Sequence, residues 1–333
     1  MTYSTTRRAA FVLSMTLVSA LAGAQQSSMA AAVAAPWPNK TVRIIVGFPP
    51  GSSPDLTART LAEPLSKALG QPVIVENKVG AGGNIAADYV AKSTDNHTLG
   101  LMINGNLTIA KLLHPKLNYD PLKDFAPISL IGVSPLVLTA PLDAPGGTAQ
   151  EFFAAARNAG DKWSYGSPGV GTVGHIGMEW LKSRTAINPL HVPYPGYPQV
   201  ANAMLGGQLQ LSMLPPALAL SQIRAGKLRA IGVTSAGRST LLPELPSMTE
   251  AGVAGFSLEI WNAVAAPVTL PKPVARRLSA LFSEIARSTE TRQKLYQQGW
   301  QVVGSSLEGL ANRIQADTAL LGGIIEARGI KAE

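Results

Sequence analysis

The chain has no cysteine and few charged or aromatic residues. Among its 333 residues, Asp, Glu, Lys and Arg make up 14%, and Phe, Trp and Tyr make up 6%. The absence of Cys excludes disulfides, thiolate metal sites and lipid attachment through an N-terminal cysteine. Apolar residues make up 46%, which excludes a disordered chain and indicates a globular protein long enough for two domains.

Positive charge is in excess but is not concentrated anywhere. The net charge is +8, from 28 basic and 20 acidic residues. No run of basic residues is longer than a pair such as Arg276-Arg277, and no basic cluster is interleaved with aromatics. Nucleic acid is therefore not expected as a partner. A mildly basic surface instead attracts anionic solutes.

Histidine is also scarce, and no histidine stands in a recognisable metal-binding or catalytic motif. The four residues are His97, His114, His175 and His191. They show no metal-ligand spacing, and no G-x-S-x-G turn supplies a nucleophile. No metal, cofactor or catalytic set is expected, and we interpret the protein as a non-enzyme. His175 follows a glycine-rich turn, where it either lines a cleft or serves as a structural histidine.

The longest uninterrupted apolar stretch lies at the N-terminus. Arg7 and Arg8 precede the uncharged segment Ala9–Gly23. This layout is typical of a secretory signal peptide, which we predict to span residues 1–35. An uncleaved membrane anchor is the alternative, but the polar residues Gln25–Ser28 interrupt the apolar run. The export route, Sec or twin-arginine, stays open, as does the cleavage site among Ala24, Ala30 and Ala35.

Beyond this segment, strand-like runs alternate with helical patterns. Val42–Val46, Pro72–Val75 and Leu99–Ile103 are short apolar runs, and the first two lead into a turn and then a helix. This alternation predicts βαβ units and a parallel sheet, whose ligands lie at the carboxyl ends of the strands. Residues 163–234 repeat the rhythm and predict a second sheet with its own core.

Two crossings between lobes are predicted, near Pro135 and near Gly255. Pro135 splits a long apolar segment, and the helix-rich end of the chain is expected to return to the first lobe. We predict lobe 1 from residues 36–134 plus 259–333 and lobe 2 from residues 135–258. The two crossings then act as a hinge.

Three glycine-rich turns, at residues 47–53, 80–84 and 166–174, stand where a strand gives way to a helix. Helix N-termini leave backbone N–H groups without partners and favour negative charge. The turns therefore predict amides that converge on a carboxylate. Asp55 is expected to order the first turn rather than to touch the anion, because its own charge would repel it.

The third turn also contains G-x-G-x-x-G at Gly169–Gly174. This is the pattern of a dinucleotide site, but the acidic residue expected about 20 positions later is missing. A dinucleotide-dependent enzyme is therefore the less favoured alternative to an anion-binding helix start.

The candidate ligand-binding residues come from the three turns, the end of the third strand and one strand of the middle block. They are Phe48, Gly51, Ser52, Ser53, Asp55, Gly82, Gly83, Asn84, Asn104, Asn106, Ser167, Gly171, Thr172, His175 and Met213.

Many short stretches resemble the solute receptors of the tripartite tricarboxylate transporter family, also called Bug proteins. They include Ile44–Gly51, Gly70–Asn77, Gly80–Ile85, Lys123–Pro127, His191–Tyr194 and Leu245–Gly252. The resemblance implies a type II-like periplasmic-binding-protein fold of two α/β lobes. Each lobe is then a mostly parallel sheet flanked by helices.

The same resemblance implies a function. The first two glycine-rich turns are expected to hold one carboxylate group through backbone amides and ordered water, while the lobes close over the ligand. A monomer in the periplasm would then deliver the ligand to a membrane permease. A periplasmic partner that presents the bound ligand to a signalling receptor is the alternative.

The chain departs from the family pattern at three places. Ser52-Ser53-Pro54 replaces a glycine-rich stretch, Ser212–Pro215 replaces an acidic and polar one, and Pro195 stands where the family has Lys. These changes remove charge from the expected site. We therefore predict a small mono- or dicarboxylate with an apolar or aromatic body rather than a citrate-like tricarboxylate.

Overall fold

The computed structural model describes residues 37–331. The predicted signal peptide, residues 1–35, lies outside the described residues. The account that follows concerns residues 40–331, which group together as one unit.

The described strands fall into two sheets. They are β1 (Val42–Val46), β2 (Val73–Asn77), β3 (Thr98–Ile103), β4 (Phe125–Pro135), β5 (Val137–Pro141), β6 (Ser164–Ser167), β7 (Leu190–Pro193), β8 (Leu211–Leu214), β9 (Leu228–Val233), β10 (Glu259–Pro267) and β11 (Gln301–Val302). The order in the first sheet is β11-β4-β10-β3-β1-β2, and the order in the second is β7-β6-β8-β5-β9.

The helices flank these sheets. They are α1 (Ser53–Leu69), α2 (Asn84–Ala91), α3 (Asn104–Leu107), α4 (Ala110–Leu113), α5 (Ala149–Ala159), α6 (Val173–Thr185), α7 (Tyr197–Leu205), α8 (Pro216–Arg224), α9 (Lys272–Arg287), α10 (Thr289–Gln297) and α11 (Leu307–Arg328). Short 3-10 turns occupy Ala81–Gly83 and Gly160–Lys162.

The two-lobed α/β architecture is confirmed, but both sheets are mixed rather than mostly parallel. β1 runs parallel to β2 and β3, and β6 runs parallel to β7 and β8. Every antiparallel pairing among the described strands involves β4, β5 or β10. Parallel neighbours need a crossover connection, usually a helix. Only Leu136 separates β4 from β5, and no helix lies between β9 and β10. Neither of these two connections therefore contains a helical crossover.

The chain passes between the sheets twice. It leaves the first sheet after Pro135, enters the second at Val137, and returns between Val233 and Glu259. These passages lie at the predicted crossings, while the exact bounds of the lobes stay a prediction.

The C-terminal helix α11 contributes to the cores of both sheets. Its first half places Leu310 and Ile314 in the core that contains β1, β3, β4 and β10 side chains. Its second half places Leu321, Ile324 and Ile325 in the core beside β5, β6 and β8. The helix therefore spans the two layers as a third link in addition to the two passages of the chain.

Candidate ligand-binding site

A small cavity lies where the strand ends of the first sheet meet the turns of the second. The space between its atoms amounts to about 440 Å³, part of which is open to solvent. Its hydrogen-bonding side chains belong to Ser52, Ser53, Asn104, Thr172, Tyr197, Asn262 and Trp300. Its apolar wall consists of Phe48, Pro54, Ile103, Pro168, Val173 and Ile260. None of these lining residues has an ionisable group that is charged at neutral pH.

The first turn brings free hydroxyl groups to this cavity. β1 is buried along nearly its whole length, as an interior parallel strand should be, and α1 begins directly after the turn with Pro54 in its first turn. Ser52 precedes the helix, where a serine usually accepts a hydrogen bond from a helix amide. Here its side chain makes no such bond. The hydroxyls of Ser52 and Ser53 are both buried without a partner.

Asp55 holds the first turn in shape from behind. Its carboxylate accepts from the amide of Gly51 at 2.9 Å, from Asn77 Nδ2 at 2.9 Å and from Arg59 Nε at 3.0 Å. Burial by itself raises the pKa of Asp55, but these hydrogen bonds outweigh it and the pKa lies below its ordinary value. Asp55 is therefore ionised, and its carboxylate oxygens already accept hydrogen bonds from within the protein. Neither Asp55 nor Gly51 lines the cavity.

The second turn is tied to the first rather than exposed in the cavity. Asn106 Nδ2 donates to Gly82 O at 3.0 Å and to Asn84 Oδ1 at 2.9 Å. Tyr119 donates to the same Asn84 oxygen at 2.8 Å. A Cβ added to Gly47 would lie 2.5 Å from Gly83 Cα, so the two turns pack backbone on backbone. Gly82, Gly83, Asn84 and Asn106 therefore support the site without lining the cavity, and Gly82 faces a separate outer cleft.

The third turn contributes Thr172 to the wall, and its other candidate residues lie behind it. Ser167 Oγ lies 2.7 Å from His191 Nε2, and the amide of Gly171 donates to His175 Nδ1 at 3.4 Å. Ser167, Gly171 and His175 do not line the cavity. Met213 is a buried member of the core of the second sheet.

A stack of rings supports the third turn. The His191 ring lies 4.4 Å from that of His175 and 4.8 Å from that of Tyr165, measured between centroids. Burial lowers the pKa of His191 to about 3, with a further contribution from the neighbouring basic groups of His175 and Lys182. His191 is therefore neutral at physiological pH, and its hydrogen bond with Ser167 holds the turn.

Three polar residues of the wall, Tyr197, Asn262 and Trp300, were not among the sequence candidates. Asn262 lies in β10, and its Nδ2 donates to Thr57 Oγ1 at 3.0 Å. The Tyr197 hydroxyl is buried without a partner, and burial raises the pKa of that group. Trp300 is only 2% exposed, and its Nε1 also lacks a partner. Trp300 follows Gly299 in the turn between α10 and β11, where no glycine-rich strand-to-helix pattern marks it. Tyr197 opens α7 directly after Gly196, a weaker version of the signal that identified the first three turns.

The turns of the two sheets touch beside the cavity. A Cβ added to Gly105 would lie 2.5 Å from Gly171 O, and one added to Gly82 would lie 2.9 Å from Val170 O. Gly105 follows Asn104 and Gly171 precedes Thr172, so this contact directly adjoins two residues of the wall. The structure is thus a closed arrangement in which the absence of a side chain lets backbone meet backbone.

Two layers of mixed sheet and helices, with a cavity closed between their turns, define a two-lobed solute-binding protein. The model of the tripartite tricarboxylate transporter family receptor matches residues 57–330. The chain belongs to this family, whose members are periplasmic solute-binding receptors of the Bug type and not enzymes. The alternative of a dinucleotide-dependent enzyme is thereby set aside.

Relatives of known structure and sequence resemble the chain over most of its length. Protein BugT of Bordetella pertussis is 31% identical over 308 residues, which cover 90% of this chain and 94% of BugT. A protein from R. palustris solved with adipate is 29% identical, with a TM-score of 0.85 over 89% of this chain and 99% of that one. MatC from Rhodopseudomonas palustris, with bound malate, is 30% identical, with a TM-score of 0.82 over 87% of this chain and 100% of that one.

In the part of the chain that the structure describes, no helix combines the length and apolar character needed to cross a bilayer. Residues 37–331 also contain no group of three or more His, Asp or Glu side chains arranged to hold a metal ion.

Proposed function

We propose that the protein is an exported receptor that binds a small organic carboxylate in this cavity and delivers it to a tripartite tricarboxylate-type membrane transporter. The observation that carries the proposal is a set of five buried, unpartnered polar atoms that belong to residues of the wall. They are Ser52 Oγ, Ser53 Oγ, Asn104 Oδ1, Tyr197 OH and Trp300 Nε1. Each such atom costs about 1–3 kcal/mol while it lacks a partner, so a ligand that pairs with them gains that energy.

The balance of groups in the wall favours an anion. Three hydroxyls and one indole can donate hydrogen bonds, and α1 and α6 both begin at the wall, where helix amides favour negative charge. No lining carboxylate repels an anion. The relatives solved with adipate and malate bind carboxylates. The apolar wall suits a hydrocarbon body between the polar ends of the ligand.

Binding is expected to work by a shift of population towards the closed state. In an open state the turns that carry Ser52 and Thr172 separate and admit the ligand. A ligand that pairs with groups from both sheets then stabilises the closed arrangement. The backbone contacts of Gly105 and Gly82 set how closely the two sheets approach.

Export and the transporter partner rest on the sequence and the family. The predicted signal peptide supports export to the periplasm, and the family supports delivery to permease subunits. A deletion strain should lose uptake of the ligand. Retained uptake together with loss of ligand-induced gene expression would favour the sensing alternative instead.

The cavity is tested with protein that is purified without refolding. Mass spectrometry of released small molecules, followed by calorimetry with carboxylates, should identify an organic acid that binds. Ser52→Ala should weaken that binding by about fivefold or more, because a donor is lost. Ser221→Ala, on the exposed face of α8, is the matched control and should bind as the wild type does. If no carboxylate binds, or if Ser52→Ala matches the control, the proposed site is wrong.

A further inference from the structure

We propose that Gly174 and Tyr197 form a pair that sets which ligands the cavity selects. The missing side chain of Gly174 leaves the room in which the Tyr197 hydroxyl lies, and that hydroxyl donates a hydrogen bond to the ligand. Gly174 is the positioning residue of the pair, because it acts through Tyr197 and does not itself line the cavity. The inference rests on the proposed function, since it concerns the same cavity and the same class of ligand.

The room beside Gly174 fits one atom of Tyr197. A Cβ added to Gly174 would lie 2.5 Å from the Tyr197 hydroxyl oxygen but 3.4 Å from Cζ, the ring carbon that carries this oxygen. The first distance is a clash, whereas the second is close to an ordinary van der Waals contact. The other near atom is Pro168 Cδ at 3.3 Å. The added methyl group therefore conflicts mainly with the hydroxyl.

The backbone at Gly174 does not itself require glycine. Gly174 is the second residue of α6 and does not have a positive φ, so alanine is compatible with its conformation. Alanine also has the higher helix propensity. The room for the Tyr197 hydroxyl is therefore what glycine provides at this position.

This arrangement gives a role to the third glycine of the G-x-G-x-x-G pattern. In a dinucleotide site that glycine lets the helix pack closely on a strand. Here Gly169 and Gly171 have φ values of 119° and 79° and shape the turn. The atoms nearest to the absent Cβ of Gly174 belong to Tyr197 and Pro168, which lie outside the strands. The pattern thus serves the wall of the cavity.

The Tyr197 hydroxyl is available to donate to a ligand. It is buried in the wall, and no hydrogen-bond partner among the described residues reaches it. Burial raises the pKa of this group, so the proton stays on the oxygen at neutral pH. A phenol that keeps its proton can donate as well as accept. An oxygen acceptor of the ligand therefore satisfies it.

Tyr197 also gives the ligand a polar contact with the second sheet. Four of the five unpartnered atoms of the wall belong to residues that adjoin strands of the first sheet, namely Ser52, Ser53, Asn104 and Trp300. The fifth belongs to Tyr197, which lies between β7 and β8 of the second sheet. A ligand stabilises the closed state only through contacts that this state alone offers. A carboxylate with a second oxygen acceptor pairs with both sets of groups, and an acid with one polar end pairs with the larger set alone.

The test is a double-variant cycle measured by calorimetry, with Tyr197→Phe, Gly174→Ala and the two combined. The probes are adipate with hexanoate and succinate with butyrate, together with any organic acid released from the purified protein. Tyr197→Phe should weaken the binding of the dicarboxylates by about three- to tenfold and that of the matching monocarboxylates by no more than about twofold. Gly174→Ala should weaken the dicarboxylates at least as much, because the added methyl group displaces the hydroxyl. The combined variant should bind within about twofold of Tyr197→Phe alone, since the clashing atom is gone.

Two controls and one further measurement separate a role in binding from a structural one. Gly323 also lies in a helix, and its added Cβ would meet nothing within 4 Å. Tyr296 is 54% exposed. Gly323→Ala and Tyr296→Phe should therefore bind as the wild type does. Tyr197→Phe should not lower the melting temperature of the ligand-free protein, because its hydroxyl has no partner within the protein, and a lowered melting temperature would contradict the inference. If Gly174→Ala fails to fold, Tyr197→Phe and the combined variant still decide the test.

The outcomes distinguish this inference from the proposed function. If no probe binds the wild type and no organic acid is released from the purified protein, the proposed function fails and the inference fails with it. If carboxylates bind but Tyr197→Phe keeps full affinity for all of them, or weakens dicarboxylates and monocarboxylates equally, the inference alone is wrong. An equal loss from Gly174→Ala with and without the Tyr197 hydroxyl also overturns the inference and leaves the proposed function intact.

Discussion

Gly105→Ala tests whether the backbone contact between the two sheets controls closure. Gly105 lies in α3 and does not have a positive φ, so alanine is compatible with its backbone. The added Cβ would lie 2.5 Å from Gly171 O, and the other atoms close to it belong to Gly171 and Thr172. All of them lie on the turn of the second sheet. The substitution is therefore expected to oppose closure without disturbing the first sheet.

The magnitude follows from the contact. The two turns must move apart by about 1 Å to reach an ordinary van der Waals distance. Overpacking of this kind costs about 1–3 kcal/mol. Because the cost is present only in the closed state, the same energy appears as a loss of affinity of about 5- to 150-fold.

The assay is calorimetry with a carboxylate that the wild-type protein binds, together with thermal unfolding of the ligand-free protein. Gly237→Ala is the control, because its added Cβ meets nothing within 4 Å. We expect weaker binding for Gly105→Ala and an unchanged melting temperature without ligand. Full affinity would refute the role of the contact. A matching loss of ligand-free stability would show that the contact persists without ligand.

Three other substitutions test the support of the site by urea unfolding across pH. Asp55 has a depressed pKa in the folded protein, so its contribution to the free energy of unfolding is present above about pH 4 and is lost as the pH falls. Asp55→Asn should lower the free energy of unfolding by about 1–3 kcal/mol near neutral pH. The difference in stability from the wild type should shrink in acid. The pKa of His191 falls from 6.5 to about 3, so the unfolded chain takes up the proton first and stability is lost as the pH drops through this window. His191→Gln should flatten that decline, and an equally steep decline would contradict the assignment. Tyr119→Phe removes the hydroxyl that donates to Asn84 and should cost about 1 kcal/mol, whereas no loss would mean that this bond contributes nothing.

Much of the fold could be predicted because local signals and global architecture agree. The apolar run at Val42–Val46 and the helical pattern after it correspond to β1 and α1, and Gly70 ends that helix in a left-handed conformation. The middle block forms a second sheet, as its repeated strand-turn-helix rhythm indicated. The antiparallel strands were missed, because the direction of β4, β5 and β10 is set by passages between sheets and not by any local pattern.

The candidate site divides in the same way. Phe48, Ser52, Ser53, Asn104 and Thr172 line the cavity, since each follows a strand whose end is fixed by sheet geometry. The other glycine-rich-turn candidates lie one layer behind, where their hydrogen bonds join the turns to one another. Sequence patterns indicate that such turns converge, but they do not indicate which face of each turn is covered by its neighbours.

Trp300 marks the limit of sequence-based prediction most clearly. It lies in a short turn whose local sequence resembles an ordinary connection, and only the pairing of β11 with β4 carries it to the cavity. This pairing joins residues that are far apart in the chain. A pattern that extends over a few positions has no means of encoding it.

The position of Trp300 near the end of the 333-residue chain also has a consequence for biogenesis. The residues of the wall run along the chain from Phe48 to Trp300. An amino-terminal fragment that ends before Trp300 therefore lacks part of the set of hydrogen-bonding groups. A chain that is still being made or exported cannot be stabilised by ligand through the complete site. Both sheets must first form from their own apolar contacts. The ligand therefore adds its binding energy only to the finished protein, protecting that protein against unfolding rather than guiding its folding.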